Sequence, residues 1–369
     1  CTNTNRRKTL DPADSETSDY AVIVTAYAFT ESLPSCVASI LSLNYERFTV
    51  YVVADNCDTS NLRFNDSRVI LLQPEEVLSS NTRSHFYAID RFVRAHNRLI
   101  IIDSDNLVHP ELLNEVDFYF NQGYEAIQGL RAAKNLDTTY ACLDAARDIY
   151  YHYYDGKLLF ELGSSATLSG SGMAFSTALY KKCLEFKPIS GAGFDKVLQY
   201  EIVKQDKRIA FAPKAIVFDE KTSIPEQLVN QRSRWINTWF KYFKFGFGLL
   251  TAGIKRGSIN QTLFGIILLR PPLFMFLILS AICFLINLFV TPITALIWLA
   301  ALSLFIFSFG IALYNSETDS RIYKSLSGIP SFIFYQIISL TNVKRANKRS
   351  VSTQHFHSDM KVEETKTTL

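Results

Sequence analysis

The stretch LIIIDSD (residues 99–105) places four large apolar side chains in front of two aspartates that are one residue apart. Four consecutive aliphatic side chains are typical of a strand that is buried on both faces of a parallel sheet. A polar turn after such a strand lies at the carboxyl edge of the sheet, where open α/β sheets bind their ligands. Asp103 and Asp105 are therefore predicted to lie in a binding site at the end of a strand.

Apolar runs of strand length alternate with helical patterns around this stretch. Strands are predicted at 21–26, 48–54, 69–72, 99–102 and 209–218. One helix is predicted over 31–43, and the helical spacing of Phe86, Ile89, Phe92 and Val93 predicts another. The alternation of strand and helix predicts an α/β fold with a mostly parallel sheet and helices on both faces.

The pair Asp103 and Asp105 offers two carboxylates to a hard divalent cation. Mg²⁺ and Mn²⁺ take oxygen ligands and are often shared with substrate phosphates. An isolated D-x-D is equally consistent with a polar turn that caps a helix. A hydrolase of the haloacid dehalogenase type also has D-x-D at a strand end. It needs Thr or Val two residues later, whereas this chain continues with Asn106-Leu107-Val108, and His109 and Pro110 follow.

Two further patterns combine residues that can bind a sugar or its phosphates. In QRSRW (231–235), Gln231, Arg234 and Trp235 share one face of a helix. Their amide, guanidinium and indole can bind hydroxyls, phosphate oxygens and a pyranose ring. A helix at a membrane surface with an interfacial Trp is the alternative. In GFDK (193–196), Asp195 stands at a predicted helix start, where an Asp is most often a cap.

The C-terminal third contains two long uncharged runs, 271–290 and 293–314. A helix of 20 residues is about 30 Å long, which is the thickness of a bilayer core. The runs predict a transmembrane hairpin. A third apolar stretch, 328–340, is too short to span and predicts a helix in the membrane interface. The predicted organisation is a polar lead-in (1–19), a large domain (20–256), a membrane region (257–345) and a polar tail (346–369).

Charge and cysteine usage indicate the compartment. Basic residues flank the predicted hairpin on both sides, and the positive-inside rule places both flanks in the cytoplasm. The net charge of +3 gives no indication of nucleic-acid binding. The 6 cysteines lie far apart and are interpreted as reduced thiols. A chain that starts at Cys1 rather than Met is interpreted as a fragment, with a lipidated Cys1 as the alternative.

Asp55, Asp103-Ser104-Asp105, Asp195 and Gln231-x-x-Arg234-Trp235 follow one another in the order D, D-x-D, D, Q-x-x-R-W. Together with VVADNCDTS (52–60) and LSGSGMAF (168–175), this order resembles the family 2 inverting glycosyltransferases, the group that includes cellulose, chitin and hyaluronan synthases. The likeness extends from about residue 20 to residue 353. It departs from the family at Tyr27-Ala28, where many members have Asn-Glu next, and at Phe194, where many have an acid.

The resemblance implies a GT-A fold and a role for each matching residue. Asp55 would bind the nucleobase in a pocket lined by Ala26 and Tyr27. Asp103 would touch the donor ribose or the metal, and Asp105 would coordinate the metal at the diphosphate. Asp195 would be the general base. The acceptor and diphosphate end would be formed by Gln231, Arg234 and Trp235.

The implied function is a multi-pass enzyme of the cell membrane with its catalytic domain in the cytoplasm. It would transfer a sugar from a nucleotide-sugar donor to a hydroxyl of a saccharide or lipid-linked acceptor, in polysaccharide or glycoconjugate synthesis. Mg²⁺ or Mn²⁺ would be the cofactor, and membrane lipid would be a partner. Two alternatives are a transferase that adds one sugar to a lipid carrier and a non-catalytic scaffold of a polysaccharide assembly complex.

Overall fold

The computed structural model describes residues 18–189 and 191–346, with side chains to residue 343. Apart from their innermost residues, the predicted lead-in and tail lie outside this part of the chain. The described residues divide into two compact units. The first unit consists of 18–135 and 159–220, and the second consists of 136–158 and 221–346.

The first unit is built on an eight-stranded sheet in the order β3-β2-β1-β4-β7-β6-β8-β5. The strands are β1 (Tyr20–Tyr27), β2 (Phe48–Asp55), β3 (Val69–Leu72), β4 (Arg98–Asp103), β5 (Leu107–Val108), β6 (Ala126–Ala133), β7 (Met173–Ser176) and β8 (Ala210–Asp219). Strands β3, β2, β1 and β4 run parallel to one another, as β6 does to β8. The pairings of β7 with β4 and β6, and of β5 with β8, are antiparallel. The predicted mostly parallel sheet is confirmed.

The helices follow the strands in alternation and then form the whole of the C-terminal part. They are α1 (Leu33–Leu41), α2 (Asn81–Ile89), α3 (Leu112–Phe120), α4 (Thr139–Tyr151), α5 (Leu159–Glu161), α6 (Thr177–Leu184), α7 (Phe194–Lys204), α8 (Pro225–Tyr242), α9 (Phe245–Arg256), α10 (Ile259–Leu269), α11 (Leu273–Val290), α12 (Pro292–Tyr314), α13 (Ser320–Ser325) and α14 (Ile329–Ala346). A π-helical segment, His152–Leu158, follows α4.

Both faces of the sheet are buried, because side chains alternate along each strand. On one face, Val22, Val50 and Ile100 pack in a single core with α1 and α3. On the other face, α2 packs against β1 and β2, and α6 packs against β7. Ile23 and Ile101, which point to this second face, are also fully buried. Burial on both faces explains the nearly continuous apolar runs of these strands.

The predicted helix through Phe86, Ile89, Phe92 and Val93 is too long at its C-terminal end. Helix α2 ends at Ile89, and Asp90 is its C-terminal cap. Phe92 instead packs against Tyr51 of β2, with ring centroids 4.8 Å apart. The Tyr51 hydroxyl accepts the main-chain N–H of Val93 at 2.9 Å. A tertiary hydrogen bond therefore ends the helical pattern that the side-chain spacing suggests.

The second unit contains the apolar helices. Three of its helical segments are long and apolar enough to cross a membrane: Leu273–Val290, Pro292–Tyr314 and Ser320–Val343. The first two confirm the predicted runs at 271–290 and 293–314, and only Thr291 separates them. The helical segment that contains the third stretch is longer than the predicted 328–340, and its interfacial position stays a prediction. Helix α13, a 3₁₀ turn and α14 follow one another without a break from residue 320.

The polar side of α14 packs inside the second unit. Ser339 is buried, and its main-chain oxygen accepts the Ser233 hydroxyl of α8 at 2.9 Å. Tyr335 packs edge-on against Tyr140 of α4. Helices α4 and α8 thus belong with the apolar helices, and the division of the chain differs from the predicted domain boundary at residue 256. The sequence does not reveal that α4 belongs to the second unit, because α4 lies in the middle of the predicted domain.

Candidate active site

The carboxyl edge of the parallel strands brings together most of the residues predicted to bind the donor. Strand β1 lies between β2 and β4, and it pairs Tyr27 with Asp55 and Thr25 with Asp103. Asp55 and Asp103 are the last residues of their strands rather than the first residues after them. Ala26 is buried in β1. Parallel strands that end together at one edge produce this convergence.

Asp55 has a structural role that the sequence does not reveal. Its carboxylate is only 2 % exposed and accepts the main-chain N–H groups of Leu78 at 2.8 Å and Ser79 at 2.7 Å. Ser79 has a positive φ of 47°, and its hydroxyl donates to the Tyr27 hydroxyl at 3.3 Å. Asp55 therefore holds the 78–79 loop against the strand edge. A nucleobase contact by Asp55 stays a prediction.

The D-x-D segment turns sharply after β4. The main-chain N–H of Asp103 donates to the Ser171 hydroxyl at 3.1 Å, and that of Asn106 donates to the Asp103 carbonyl at 3.0 Å. Asp105 is buried, and its carboxylate accepts the Asn106 side-chain amide at 3.2 Å. The turn thus keeps both carboxylates next to the end of β4.

A polar network that sequence reasoning missed supports this turn. The Ser171 hydroxyl donates to the Asn106 side-chain oxygen, and the Asn106 amide also donates to Asp219 at 3.4 Å. Arg131 forms an ion pair with Asp219 at 2.7 Å. Lys134, only 2 % exposed, donates to the main-chain oxygen of Asp105 at 3.1 Å. The one available signal is that LSGSGMAF, which contains Ser171, resembles a family segment.

The two aspartates at the end of β4 fit a divalent cation that is also bound by the phosphates of the substrate. Among the described residues, no three His, Cys, Asp or Glu side chains are grouped to hold a metal ion. Asp103 and Asp105 therefore offer two carboxylates, and phosphate and water oxygens would complete the shell. Mg²⁺ is commonly bound in this way, by one or two carboxylates and substrate phosphates.

Asp195 lies in the first turn of α7, as predicted, but it is not the cap. Gly193 is the N-cap residue, with a φ of 100°, and no side chain caps this helix end. The Asp195 carboxylate forms an ion pair with Lys196 at 3.1 Å. Lys196 also donates to the carbonyl of Leu168 at 2.9 Å. The segment 168–171 thus contacts the start of α7 at one end and Asp103 at the other.

A buried histidine packs next to this helix start. His85 of α2 is fully buried, and its ring contacts Phe194 with centroids 5.1 Å apart. Its Nδ1 is 2.7 Å from the hydroxyl of Tyr180. Burial lowers the pKa of His85 to about 3, so the ring is neutral at physiological pH. His85 therefore contributes packing, not charge, beside Asp195.

Gln231, Arg234 and Trp235 lie on a helix, as predicted; this helix is α8 and it belongs to the second unit rather than to the sheet unit. Gln231 accepts the Thr222 hydroxyl at 3.3 Å. Burial lowers the pKa of Arg234, because it disfavours the charged form. Trp235 is 38 % exposed. The helical spacing places the three side chains on one face of α8.

The arginine between them has a different environment. Arg232 is buried and forms an ion pair with Asp144 of α4. Its guanidinium lies 4.1 Å from the ring centroid of Trp235, and that of Arg147 lies 4.4 Å from the same ring. Burial lowers the pKa of Arg232 to about 10. Trp235 is therefore held by two cations, a contact that the sequence pattern does not predict.

The sheet order, the acidic edge after β4 and the helix that carries Asp195 define a nucleotide-sugar-binding fold of the GT-A type. The sequence model of the family described as "Glycosyltransferase like family 2" matches residues 18–238. The chain therefore belongs to this family of glycosyltransferases. None of the curated proteins matches the sequence.

One solved structure with a similar fold supports the fold assignment. The mannosyltransferase PcManGT from Pyrobaculum calidifontis, in complex with GDP-Man and Mn²⁺, is 15% identical with a TM-score of 0.52. The match covers 89% of this chain and 87% of that protein. TarS 1–349 from S. aureus, in complex with UDP-GlcNAc, is 15% identical with a TM-score of 0.46, and the match covers 89% of this chain and 90% of that one.

Proposed function

We propose that the protein is a membrane-bound inverting glycosyltransferase that moves a sugar from a nucleotide-sugar donor to a hydroxyl of its acceptor. One observation carries the proposal: Asp103 ends a central strand, Asp105 lies in the turn after it, and the segment 168–171 connects Asp103 with the first turn of the helix that contains Asp195. Direct transfer of a sugar from donor to acceptor requires a pair of carboxylates at the donor and a further carboxylate that acts as the base.

Asp195 is the base in this proposal. An acceptor hydroxyl is a poor nucleophile until its proton is removed, and a carboxylate within hydrogen-bond distance can take that proton. Attack on the anomeric carbon then displaces the nucleoside diphosphate in one step. The scheme uses one base and no covalent nucleophile, so the configuration at the anomeric carbon is inverted.

Asp103 and Asp105 would hold Mg²⁺ or Mn²⁺, and the complex of PcManGT with Mn²⁺ supports this choice. A bound cation supplies charge stabilisation for the leaving diphosphate. The chain's own contribution is the fixed turn, because Ser171 and Asn106 keep the two carboxylates in place. Asp55, Ala26 and Tyr27 would line the nucleobase pocket next to them.

Gln231, Arg234 and Trp235 would bind the acceptor and the diphosphate. Arg234 is suited to the second task, since a guanidinium binds phosphate oxygens in a bidentate manner. Trp235 is partly exposed and offers a flat ring to a pyranose. The acceptor would be a saccharide or a lipid-linked hydroxyl, in polysaccharide or glycoconjugate synthesis.

The apolar helices would anchor the enzyme as a multi-pass protein of the cell membrane. Lys244, Lys255 and Arg256 precede the first span, and Arg321 and Lys324 follow the second. The positive-inside rule puts both flanks, and with them the catalytic unit, in the cytoplasm.

The proposed reaction is tested with membranes that contain the protein. A panel of radiolabelled nucleotide sugars with Mg²⁺ or Mn²⁺ should label a product, and its size distinguishes single from repeated addition. Excess chelator should stop transfer, and Asp105→Asn should abolish both transfer and Mn²⁺ binding measured by electron paramagnetic resonance. The control is Asp90→Asn, at an exposed position outside the site. Full transfer in excess chelator would refute the metal site.

A further inference from the structure

A buried lysine lies beside the turn that contains the two aspartates of the proposed metal site. Lys134 is almost completely buried, and its ammonium donates to the main-chain oxygen of Asp105 at 3.1 Å. Burial of an ammonium is costly for a fold unless neighbouring groups compensate the charge. The position of Lys134 therefore needs an explanation from its surroundings.

The main chain fixes the position of Lys134. The residue follows β6 directly, and its N–H donates to the carbonyl of Asp219 at 2.8 Å. One residue earlier, Ala133 pairs with Asp219 in the ladder of β6 and β8. On the other side of β8, Leu107 pairs with Phe218 directly after the D-x-D turn. The lysine and the turn are thus both held by the last residues of β8.

Three carboxylates and two cations belong to the polar network around this turn in the part of the chain that the structure describes. The carboxylates are those of Asp103, Asp105 and Asp219, and Arg131 forms an ion pair with Asp219 at 2.7 Å. Lys134 is the second cation, and its ammonium is bonded to Asp105 itself. Covalent geometry then keeps the Asp105 carboxylate within about 8 Å of the ammonium. Lys134 is therefore placed to offset the charge of the two aspartates of the turn.

Cys36 of α1 lies close to the same charges. Its thiol is fully buried and donates to the carbonyl of Asp103 at 3.7 Å. Burial raises the pKa of Cys36, the negative charges of Asp105 and Asp103 raise it further, and the positive charge of Lys134 lowers it. The ammonium and the two carboxylates thus act on one buried atom, so they are also close enough to act on one another.

A fixed positive charge at this place has opposite effects on the two ligands of the proposed site. It repels a divalent cation that approaches Asp103 and Asp105 before the donor is present, and it attracts the diphosphate of the donor. Both effects are larger than they would be in water, because the charge is buried. Such a site binds the cation weakly by itself and more firmly together with a diphosphate.

We propose that Lys134 is a positioning residue whose charge sets the affinities of the donor site. It lowers the affinity of Asp103 and Asp105 for a cation alone, and it raises the affinity of the metal-loaded site for a nucleoside diphosphate. Its hydrogen bond also keeps the Asp105 carbonyl, and with it the turn, in place. The inference rests on the proposed function, because it takes the metal and the nucleotide-sugar donor as the ligands of this site.

Binding of Mn²⁺ alone, followed by electron paramagnetic resonance on the full chain in detergent, tests the role of the charge. Lys134→Met removes the charge and the hydrogen bond, whereas Lys134→Gln removes the charge and keeps an N–H donor for the Asp105 carbonyl. Both variants are expected to bind Mn²⁺ more tightly than the wild type, by about tenfold or more. At saturating Mn²⁺, UDP or GDP, whichever the wild type binds, should bind both variants about tenfold more weakly in calorimetric titration.

Lys207→Met is the matched control at the other end of the same strand. Lys207 forms an ion pair with Glu125, the residue before β6. The 8 residues of β6 separate this pair from Lys134 by roughly 25 Å. The control removes one positive charge from the same unit, at more than a Debye length from the aspartates in 0.1 M salt. Its affinity for Mn²⁺ should stay within about twofold of the wild-type value.

The direction of the change separates a role in charge from a role in structure. Loss of a structural contact loosens the turn and weakens Mn²⁺ binding, so weaker or unchanged binding by both variants overturns the inference while the metal site stands. Weaker binding by Lys134→Met together with wild-type binding by Lys134→Gln assigns the role to the hydrogen bond, which also overturns the inference. If Lys134→Met does not fold, Lys134→Gln decides by the same criterion.

Failure of the proposed function has a different signature. If the wild type binds no Mn²⁺, or if Asp105→Asn binds it equally well, the metal site itself is refuted. The inference about Lys134 then fails together with that part of the proposed function.

Discussion

The hydroxyl oxygen of Ser171 accepts the main-chain N–H of Asp103 at 3.1 Å. This bond connects the segment before β7 with the last residue of β4. Three residues earlier, the carbonyl of Leu168 accepts Lys196 of α7 at 2.9 Å. The metal-binding and proton-accepting groups of the proposed mechanism are thus held by one short segment, and a change in this segment should affect both.

Ser171→Ala tests this dependence. It leaves the N–H of Asp103 and the side-chain oxygen of Asn106 without their partner, at a cost of about 1–3 kcal/mol in the free energy of unfolding. Donor and Mn²⁺ binding should weaken as well. Chemical unfolding and calorimetric titration on the same preparation measure both effects.

The matched control is Ser169→Ala. Among the described residues, the Ser169 hydroxyl has no hydrogen-bond partner. Its loss should change the free energy of unfolding by no more than about 0.5 kcal/mol. Equal effects of the two substitutions would contradict the structural role of Ser171.

Two arginines of α8 should separate stability from activity. Arg232 is buried in an ion pair with Asp144, and breaking a buried pair leaves a charge without compensation. Because Arg147 also pairs with Asp144 at 3.2 Å, Arg232→Ala should cost somewhat less than the usual value, on the order of 2–3 kcal/mol. Arg234→Ala, at a half-buried position, should cost less stability than Arg232→Ala and lose transfer. Thermal unfolding and the transfer rate per folded protein distinguish the two variants. If Arg234→Ala is the less stable variant and Arg232→Ala is the less active one, the roles of the two arginines are exchanged.

The strands and membrane helices could be predicted because their signals are local. Four aliphatic residues in a row, as in 99–102, indicate a strand that is buried on both faces of a sheet, and twenty uncharged residues indicate a transmembrane helix. The role of Asp55 could not be predicted, since its partners Leu78 and Ser79 are more than twenty residues away. The position of α4 beside α8 was also hidden, because the ion pair of Arg232 and Asp144 joins residues 88 positions apart.

The site illustrates the same limit. The aspartates of the site stand out because carboxylates after apolar strands are unusual, and their order matches a known signature. Ser171 and Asn106 are small polar residues of ordinary loops, and only the folded chain gives them partners. Lys134 is a buried cation, which a sequence pattern assigns to the surface by default.

His85 should make stability depend on pH. Its pKa is about 3 in the folded protein and about 6.5 in the unfolded chain. The unfolded chain therefore takes up a proton first as the pH falls, and stability that is present above pH 6.5 is lost progressively toward pH 3. Between pH 8 and pH 5 this amounts to about 2 kcal/mol.

The measurement is the unfolding free energy of the wild type and His85→Gln at both pH values. Glutamine does not titrate, so the advantage of the wild type over the variant should shrink at pH 5. A gap of the same size at both pH values would contradict the buried neutral state of His85.

The orientation of the membrane helices can be tested by labelling in intact cells. In a chain without Cys1 and Cys283, Thr291→Cys lies between the first two spans and should react with an impermeant thiol reagent from outside. Ser320→Cys, which follows the second span, should react only after the membrane is opened. Labelling of residue 320 from outside would overturn the cytoplasmic location of the catalytic unit.

Thr341→Cys extends this test to α14. The segment 320–343 is long and apolar enough to cross the membrane, whereas the interfacial prediction keeps its end in the cytoplasm. Protection of residue 341 in intact cells supports a helix that stays on the inner side, and labelling from outside indicates a third span.

Asp195→Asn tests the assignment of the base. Gly193 is the cap of α7, and the Asp195 carboxylate contacts Lys196, so asparagine should be tolerated by the fold. The amide has no useful basicity, and proton removal by a positioned base contributes on the order of 10² to 10⁴ in rate. The variant should therefore bind the donor almost normally and lose transfer by at least about a hundredfold. Donor binding and transfer are measured on one preparation.

Glu201→Gln is the matched control for this substitution. It lies on the same helix and pairs with Lys187 at 2.9 Å, and within residues 18–189 and 191–346 no hydrogen bond or ion pair joins it to Asp103. It should retain transfer. If Asp195→Asn keeps a near wild-type rate, Asp195 is structural, and Asp219 and Glu220 become the candidates for the base, joined by Glu201 if Glu201→Gln loses transfer. The glycosyltransferase family would then stand, and the proton would leave the acceptor through a different carboxylate.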